Sequence, residues 1–154
     1  MPHWKYSVGL LDATKTAKAS GRDLRISPKA AREICNAIRY MAFEEARKYL
    51  EDVIAKKRAV PYKKYKKKVG HKAGLQGWYA GRYPVKASRA ILQILDSVEA
   101  NASFKGLDVS KLKIIHAASH RARIIRGFTP RAFGRASPSF DQLTHVEIAV
   151  EESS

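Results

Sequence analysis

The sequence predicts an α+β fold: three helices packed on a small three-stranded antiparallel sheet, with one long protruding β-hairpin. Three observations carry that expectation. Apolar residues recur at helical spacing in three segments: Ala31, Ile34, Cys35 and Ile38; Phe43, Ala46, Leu50, Val53 and Ile54; and Ala87, Ile91, Ile94, Leu95, Val98 and Ala102. Near the C-terminus the period becomes two, with Val146, Ile148 and Val150 on one face and His145, Glu147 and Glu151 on the other. Residues 109–140 read as strand, loop, strand and hold seven Lys or Arg and no acid. Helices grouped apart from strands favour helices covering one face of an antiparallel sheet.

Taken in order, residues 1–21 have few apolar anchors and are expected to form an extended N-terminal arm, ordered only on binding. Asp23-Leu24-Arg25-Ile26 reads as a short strand. Ser27-Pro28 then marks a helix start, with an N-cap hydroxyl and a proline in the first turn. A second helix is expected over about 43–56. Nothing near Tyr40 obliges a break, so one long kinked helix is an alternative. Gly70, Gly74, Gly77, Gly81 and Pro61 argue against a regular element in a basic insertion at 56–82. A third helix follows Pro84 and runs to about Phe104, with Gly106 suited to the residue just past its end.

The long hairpin is expected over 111–150, with its tip at about 126–135. Strands rise roughly 3.3 Å per residue, so arms of about a dozen residues reach on the order of 40 Å. That exceeds what a domain of this size covers with its own atoms. A bare two-stranded ribbon is marginal in water, so this one is expected to lie against something large and negative.

The charge balance says the same. One domain, 1–154, carries 30 Lys and Arg against 14 Asp and Glu, a net charge of +16. No acid occurs between Asp52 and Asp96, an interval with twelve basic residues, and the hairpin adds seven more. Residues 12–52, in contrast, hold seven acids. Such segregation implies a solvent face and a face for a polyanion, for which a nucleic acid is the natural candidate. Cys35 is the single cysteine, which excludes an internal disulfide and fits a reducing compartment. Without an apolar leader or an 18-residue apolar stretch, a soluble cytoplasmic protein with no membrane partner is expected.

Two candidate RNA-binding surfaces emerge. In and beside the insertion, Lys63, Lys64, Lys66, Lys67, Lys68, Lys72, Arg82 and Lys86 interleave with Tyr62, Tyr65, Trp78, Tyr79 and Tyr83. Cations meet phosphates and rings stack on unpaired bases, the mixture that structured RNA selects. The bland alternative is a solvated charge run. On the hairpin, Arg121, Arg123, Arg126, Arg131 and Arg135 are arginines, whose planar forks suit bidentate phosphate contacts. Gly127, Pro130, Gly134 and Pro138 frame the tip. The lysine-rich insertion suits looser charge neutralisation.

Other motifs carry less. His116 and His120 share a strand face, but no neighbouring Cys or acid in the sequence completes a zinc site, so no metal is expected. Cys35 lies on an apolar stripe and reads as core. No phosphate-binding glycine loop, paired carboxylates or triad order is present, so neither a catalytic residue nor a cofactor is expected.

Several stretches together resemble one family. They are Tyr83-Pro84-Val85-Lys86, Val98-Glu99-Ala100-Asn101-Ala102, Lys105-Gly106-Leu107-Asp108-Val109, Pro130-Arg131-Ala132-Phe133-Gly134-Arg135-Ala136 and His145-Val146-Glu147-Ile148. These resemble the ribosomal large-subunit protein twenty-two family in its archaeal and eukaryotic form, in which the eukaryotic member is numbered seventeen. Gly77-Trp78-Tyr79-Ala80-Gly81-Arg82 is similar to an insertion that bacterial members lack. The family pattern often has glycine between the first two helices, where this chain has Tyr40.

The resemblance implies the same fold and a non-enzymatic structural role in the large ribosomal subunit. It further implies binding of large-subunit ribosomal RNA during assembly, and a hairpin running along the peptide exit tunnel. Arg126, Arg131 and Arg135 would face RNA, and Gly127, Phe128, Thr129 and Pro130 would line the tunnel. Ribosomal protein four near the constriction, other ribosomal proteins and the passing nascent peptide are the implied partners. The rival readings are an RNA-processing enzyme using His116, His120 and Lys113 in acid–base roles, and a free-standing DNA-binding protein.

Overall fold

A computed structural model of the chain describes residues 5–9 and 11–153. In chain order it contains β1 (Thr16–Leu24), α1 (Pro28–Ile38), α2 (Phe43–Ile54), β2 (Val60–Pro61), β3 (Gly81–Arg82), α3 (Val85–Phe104), β4 (Leu112–Ile125), β5 (Phe128–Pro130), β6 (Ala136–Pro138) and β7 (Asp141–Glu152). The main sheet has the order β1-β7-β4, antiparallel throughout, so the last strand is the central one. The helices pack on one face, and the fold is the α+β arrangement that the periodicities predict.

The core is where those periodicities meet. Ala31, Ile34, Cys35 and Ile38 of α1 and Ile91, Ile94, Leu95, Val98 and Ala102 of α3 close over Ile114 and Ala117 of β4 and Val146, Ile148 and Val150 of β7. Each large apolar side chain removed from water in this way contributes roughly 1.5–3 kcal/mol. The α2 stripe differs in one place. Ile54 is only half-buried, and Tyr49 is buried instead, its hydroxyl donating to the Ala59 carbonyl at 3.2 Å.

Two residues of the Val98–Ala102 stretch point away from the core and fasten α3 to its neighbours. Glu99 accepts from Arg47 of α2 at 2.6 Å, with Asp96 taking the other guanidinium nitrogen at 2.8 Å. Asn101 donates its amide to the Lys18 carbonyl of β1 at 2.8 Å. Past the helix end Gly106 adopts φ +74°, and Leu107 N–H turns back to the Ala102 carbonyl at 3.1 Å.

The N-terminal expectation needs correction. Residues 16–21 are not an arm but the first part of β1, paired with β7 in the register Thr16↔Glu151, Ala17↔Val150 and Ala19↔Ile148. Ala17 and Ala19 point inward, and their small size hid the alternation. The strand therefore begins seven residues before Asp23 (Thr16 against Asp23). Further upstream, Ser7 is docked on β7 through Glu147. The arm's residues 1–4 and 10 lie outside the described residues.

A break also separates α1 from α2, and tertiary hydrogen bonds make it. Tyr40 N–H donates to the Ile114 carbonyl at 2.8 Å, and Ile114 N–H donates to the Met41 carbonyl at 3.0 Å. Ala42 forms a bridge with Lys113. The chain thus spends one turn pairing with β4, which forces Tyr40 to φ +69°. That left-handed conformation costs a non-glycine residue about 1–2 kcal/mol. The ring is 66% exposed and supplies little packing in return. Tyr40→Gly is therefore expected to raise stability by about 0.5–1 kcal/mol, after the greater freedom of glycine in the unfolded chain is offset. Chemical denaturation checks this; a loss of stability would show that the ring packs usefully.

The insertion is more ordered than its glycines suggest. β2 and β3 pair antiparallel, Val60↔Arg82 and Pro61↔Gly81, and His71 bridges Ala80. Beyond the body, the β4–β7 ladder continues to Ile125↔Asp141. Ser139 N–H then donates to the Gly127 carbonyl at 2.7 Å. β5 and β6 extend the ribbon through Phe128↔Pro138, Thr129↔Ser137 and Pro130↔Ala136. Gly127 is a matter of space: a Cβ there would meet the Ser139 carbonyl oxygen at 2.8 Å.

Candidate nucleic-acid interface

Among the described residues the tip of the hairpin presents charge that no carboxylate of the chain neutralises. From Arg123 to Phe140 every residue is exposed except Gly127 and Ser137, which are half-buried. Arg131 N–H donates to the Arg135 carbonyl at 2.7 Å, closing the apex, and Phe133 stands there at φ +59° and 99% exposed. Arg121, Arg126, Arg131 and Arg135 form no ion pair among the described residues. Among the described residues, Arg123 alone of the hairpin arginines has an acidic partner, Asp23 at 3.6 Å, and both side chains are largely solvated. Such an exposed pair contributes little, so it does not fold the finger back onto the body.

Of the four residues assigned to the tunnel, Phe128, Thr129 and Pro130 are exposed. Phe128 packs edge-on against Phe140 at 6.0 Å, which stiffens the neck of the tip. Gly127 has the structural task described above.

The insertion gathers the second set, and a buried acid organises it. Glu33 of α1 is 1% exposed, and its carboxylate accepts the backbone N–H groups of Lys63 (3.1 Å), Lys64 (2.9 Å) and Tyr65 (2.8 Å). Lys63 and Lys64, with their backbones so fixed, and Lys66, Lys67 and Lys68 just beyond project into solvent. Rings hold several cations where carboxylates do not. Lys66 lies over Trp78 at 5.5 Å, Lys72 over Tyr83 at 5.4 Å, and the Arg82 guanidinium over Tyr62 at 5.9 Å. Lys86 is exposed in the first turn of α3, on the same side as Arg82. Trp78 has work inside the insertion. Its indole N–H donates to the Tyr62 carbonyl at 3.0 Å, and its ring stacks on Tyr79 at 5.0 Å, leaving Tyr79 the more exposed of the pair.

Glu147 corrects the expectation that no acid neighbours His116 and His120. Its side chain is fully buried on the side of the sheet away from the helices. His116 Nε2 lies 2.8 Å and His120 Nε2 3.3 Å from one of its oxygens, so an acid does stand beside these histidines. Ser7 donates its hydroxyl to that oxygen and its backbone N–H to both oxygens at 3.1 Å. Among the described residues no group of histidine, cysteine and acid side chains has the arrangement to hold a metal ion. Cys35 is buried, and burial pushes its thiol up to about 12, which leaves it inert.

Burial pushes the Glu147 carboxyl upward. Donation from the Ser7 hydroxyl, His116, the Ser7 N–H and His120 together outweighs that, and the group sits below the ordinary glutamate value of 4.5. A depressed folded-state value means that the stabilisation is full above 4.5 and is lost as pH falls through the lowered value. Acidification through that lowered value is thus expected to reduce the protection of the Ser7 amide, read as its exchange rate against the intrinsic rate at each pH. Glu147→Gln should remove the pH dependence while weakening the attachment throughout. Equal pH profiles for the two proteins would contradict the assignment.

Sequence reasoning missed Glu33 and Glu147 because both lie at positions that read as surface. An α+β body that carries an exposed basic ribbon past its own core has the build of a polyanion binder. Comparison with known proteins agrees. The family described as Ribosomal protein L22p/L17e matches residues 19–151. The chain is 56% identical over 140 residues to the large ribosomal subunit protein uL22 of Archaeoglobus fulgidus, covering 91% of this chain and 90% of that one. With uL22 of Methanopyrus kandleri the identity is 54% over 153 residues, covering 97% and 96%. With uL22 of Ignicoccus hospitalis it is 52% over 157 residues, covering 99% of each. The chain belongs to the ribosomal protein L22p/L17e family.

Proposed function

We propose that the protein is a constituent of the large ribosomal subunit that binds large-subunit ribosomal RNA and supports assembly, and that its hairpin tip lines the peptide exit tunnel. The observation that carries this reading is the exposed tip, where Arg126, Arg131 and Arg135 have no carboxylate of their own chain as partner among the described residues. The similarity to archaeal large ribosomal subunit proteins uL22 supports the subunit. Lys63, Lys64, Lys66, Lys67, Lys68, Lys72, Arg82, Lys86, Arg121 and Arg123 take the sugar–phosphate backbone elsewhere, with Trp78 and its neighbouring rings beside them. Gly127, Phe128, Thr129 and Pro130 face the tunnel, near ribosomal protein four and the passing nascent peptide.

The mechanism is electrostatic. Each arginine or lysine that meets a phosphate releases condensed counterions, so affinity falls steeply with salt. A basic ribbon between RNA helices substitutes for those counterions where the helices would repel. The body, folded around its own apolar core, fixes where the ribbon starts. Fractionation of a cell lysate tests the reading: the protein should sediment with large subunits and leave them only in high salt. Sedimentation at the position of free protein in low salt would overturn it.

A further inference from the structure

The start of α1 and the insertion enclose a cavity of about 360 Å³, lined by Lys29, Tyr62, Lys64, Tyr65, Lys67 and Arg82 among others. A neighbouring cavity of about 380 Å³ shares Ser27, Tyr62 and Arg82 with it and adds Tyr83 and Lys86. Among the described residues no carboxylate lines either one. Volumes of this size fall at the lower end of the roughly 300–1,000 Å³ typical of small-ligand sites. Two rings form the walls. Tyr62 is 5% exposed, while Tyr65 is half-buried and held in place by its N–H bond to Glu33.

The cations here are held by rings rather than by acids. Lys29 Nζ lies 5.8 Å and Lys64 Nζ 5.9 Å from the centre of the Tyr65 ring, and the Arg82 guanidinium lies 5.9 Å from that of Tyr62. None of Lys29, Lys64, Lys67 or Arg82 forms an ion pair among the described residues. Exposed contacts of a cation with a ring are weak, so the lysines are free to turn to a phosphate, while the Arg82 guanidinium is steadied by a further hydrogen bond from one nitrogen to the Lys68 carbonyl at 3.3 Å. Free phosphate alone would leave the two rings without a part. A flat ring joined to a phosphate uses every feature of the cavity.

We infer that this cavity takes one unpaired nucleotide of ribosomal RNA, its base against Tyr65 and its phosphate against Lys29 and Arg82. Lys29 lies on α1, outside the basic insertion, and joins the interface only through this cavity. The inference rests on the reading of the chain as a ribosomal RNA binder.

The test compares the full-length protein binding two RNA hairpins that differ only by one bulged nucleotide, at fixed salt. The bulged hairpin should bind at least about five-fold more tightly, the smaller end of what one stacked base contributes. Tyr65→Ala should bring that ratio to about one, and Tyr65→Phe should keep it. Lys29→Glu, which changes an exposed residue outside the core, should also abolish the preference and guards against a folding defect in Tyr65→Ala. Replacing the tip arginines should weaken both hairpins and leave the ratio unchanged. Equal, salt-sensitive binding of both hairpins by the unaltered protein would overturn this inference alone, as would a ratio that survives both Tyr65→Ala and Lys29→Glu. Failure to bind either hairpin would overturn the ribosomal RNA reading with it.

Discussion

Replacing Arg126, Arg131 and Arg135 together with alanine is expected to leave thermal unfolding of the isolated protein unchanged and to cut its affinity for folded large-subunit ribosomal RNA. All three side chains are exposed, and none makes an ion pair among the described residues. Their removal therefore takes nothing from the core. If each neutralises one phosphate, the slope of log affinity against log salt should become shallower by about 2–3. Binding isotherms at four or five salt concentrations measure it. A marked fall in melting temperature would mean that the tip packs on the body. An unchanged slope would mean that these arginines meet no phosphate.

Glu33→Ala should have the largest effect on stability of any single change to a polar residue here. The carboxylate is buried and accepts three backbone N–H groups of the insertion, at 2.8–3.1 Å. Hydrogen bonds to a charged group contribute roughly 1.5–3 kcal/mol each, and the freed N–H groups regain water when the segment detaches. The expected net cost is about 3 kcal/mol, or on the order of 6–12 °C in melting temperature for a chain of this length. Fast amide exchange should appear over 62–69 and spare the main sheet. Glu33→Gln keeps a single acceptor oxygen and should lose about half as much. Because the same bonds set the direction of Lys63, Lys64 and Tyr65, RNA affinity should fall although no cation has been removed. Unchanged exchange over 62–69 would refute the role given to Glu33.

What the sequence disclosed and what it hid follow from the range of the interactions. The helical stripes apart from Ile54, the Ser27-Pro28 start, Gly106 and the acid-free hairpin are local patterns and lie where those patterns place them, although the Ser27 hydroxyl makes no capping hydrogen bond. The break at Tyr40 is imposed by hydrogen bonds to Ile114, on a strand that begins some seventy residues later, and no local residue announces it. The early start of β1 depends on which residues pair with β7, and alanines at 17 and 19 carry too faint an alternation to reveal it. Glu33 and Glu147 were hidden for the same reason. Their partners lie about 30 and 140 positions away, so the burial of each acid depends on the finished fold. The rows of lysine and arginine were legible as charge. Which rings hold them, and where a cavity opens between them, depended on the geometry of the insertion.

Cleavage of ribosomal RNA by radicals released from the hairpin apex tests the central claim most directly. Cys35 is buried and inert, so a cysteine introduced by Ala132→Cys provides the reactive position for an iron chelate. A cysteine introduced by Ser97→Cys on the exposed side of α3 serves as the comparison on the body. In reconstituted large subunits, the apex probe is expected to cut RNA segments distinct from those cut by the body probe, as a finger extended away from its domain requires. Cuts at the same nucleotides from both positions, or no cuts from the apex, would contradict it.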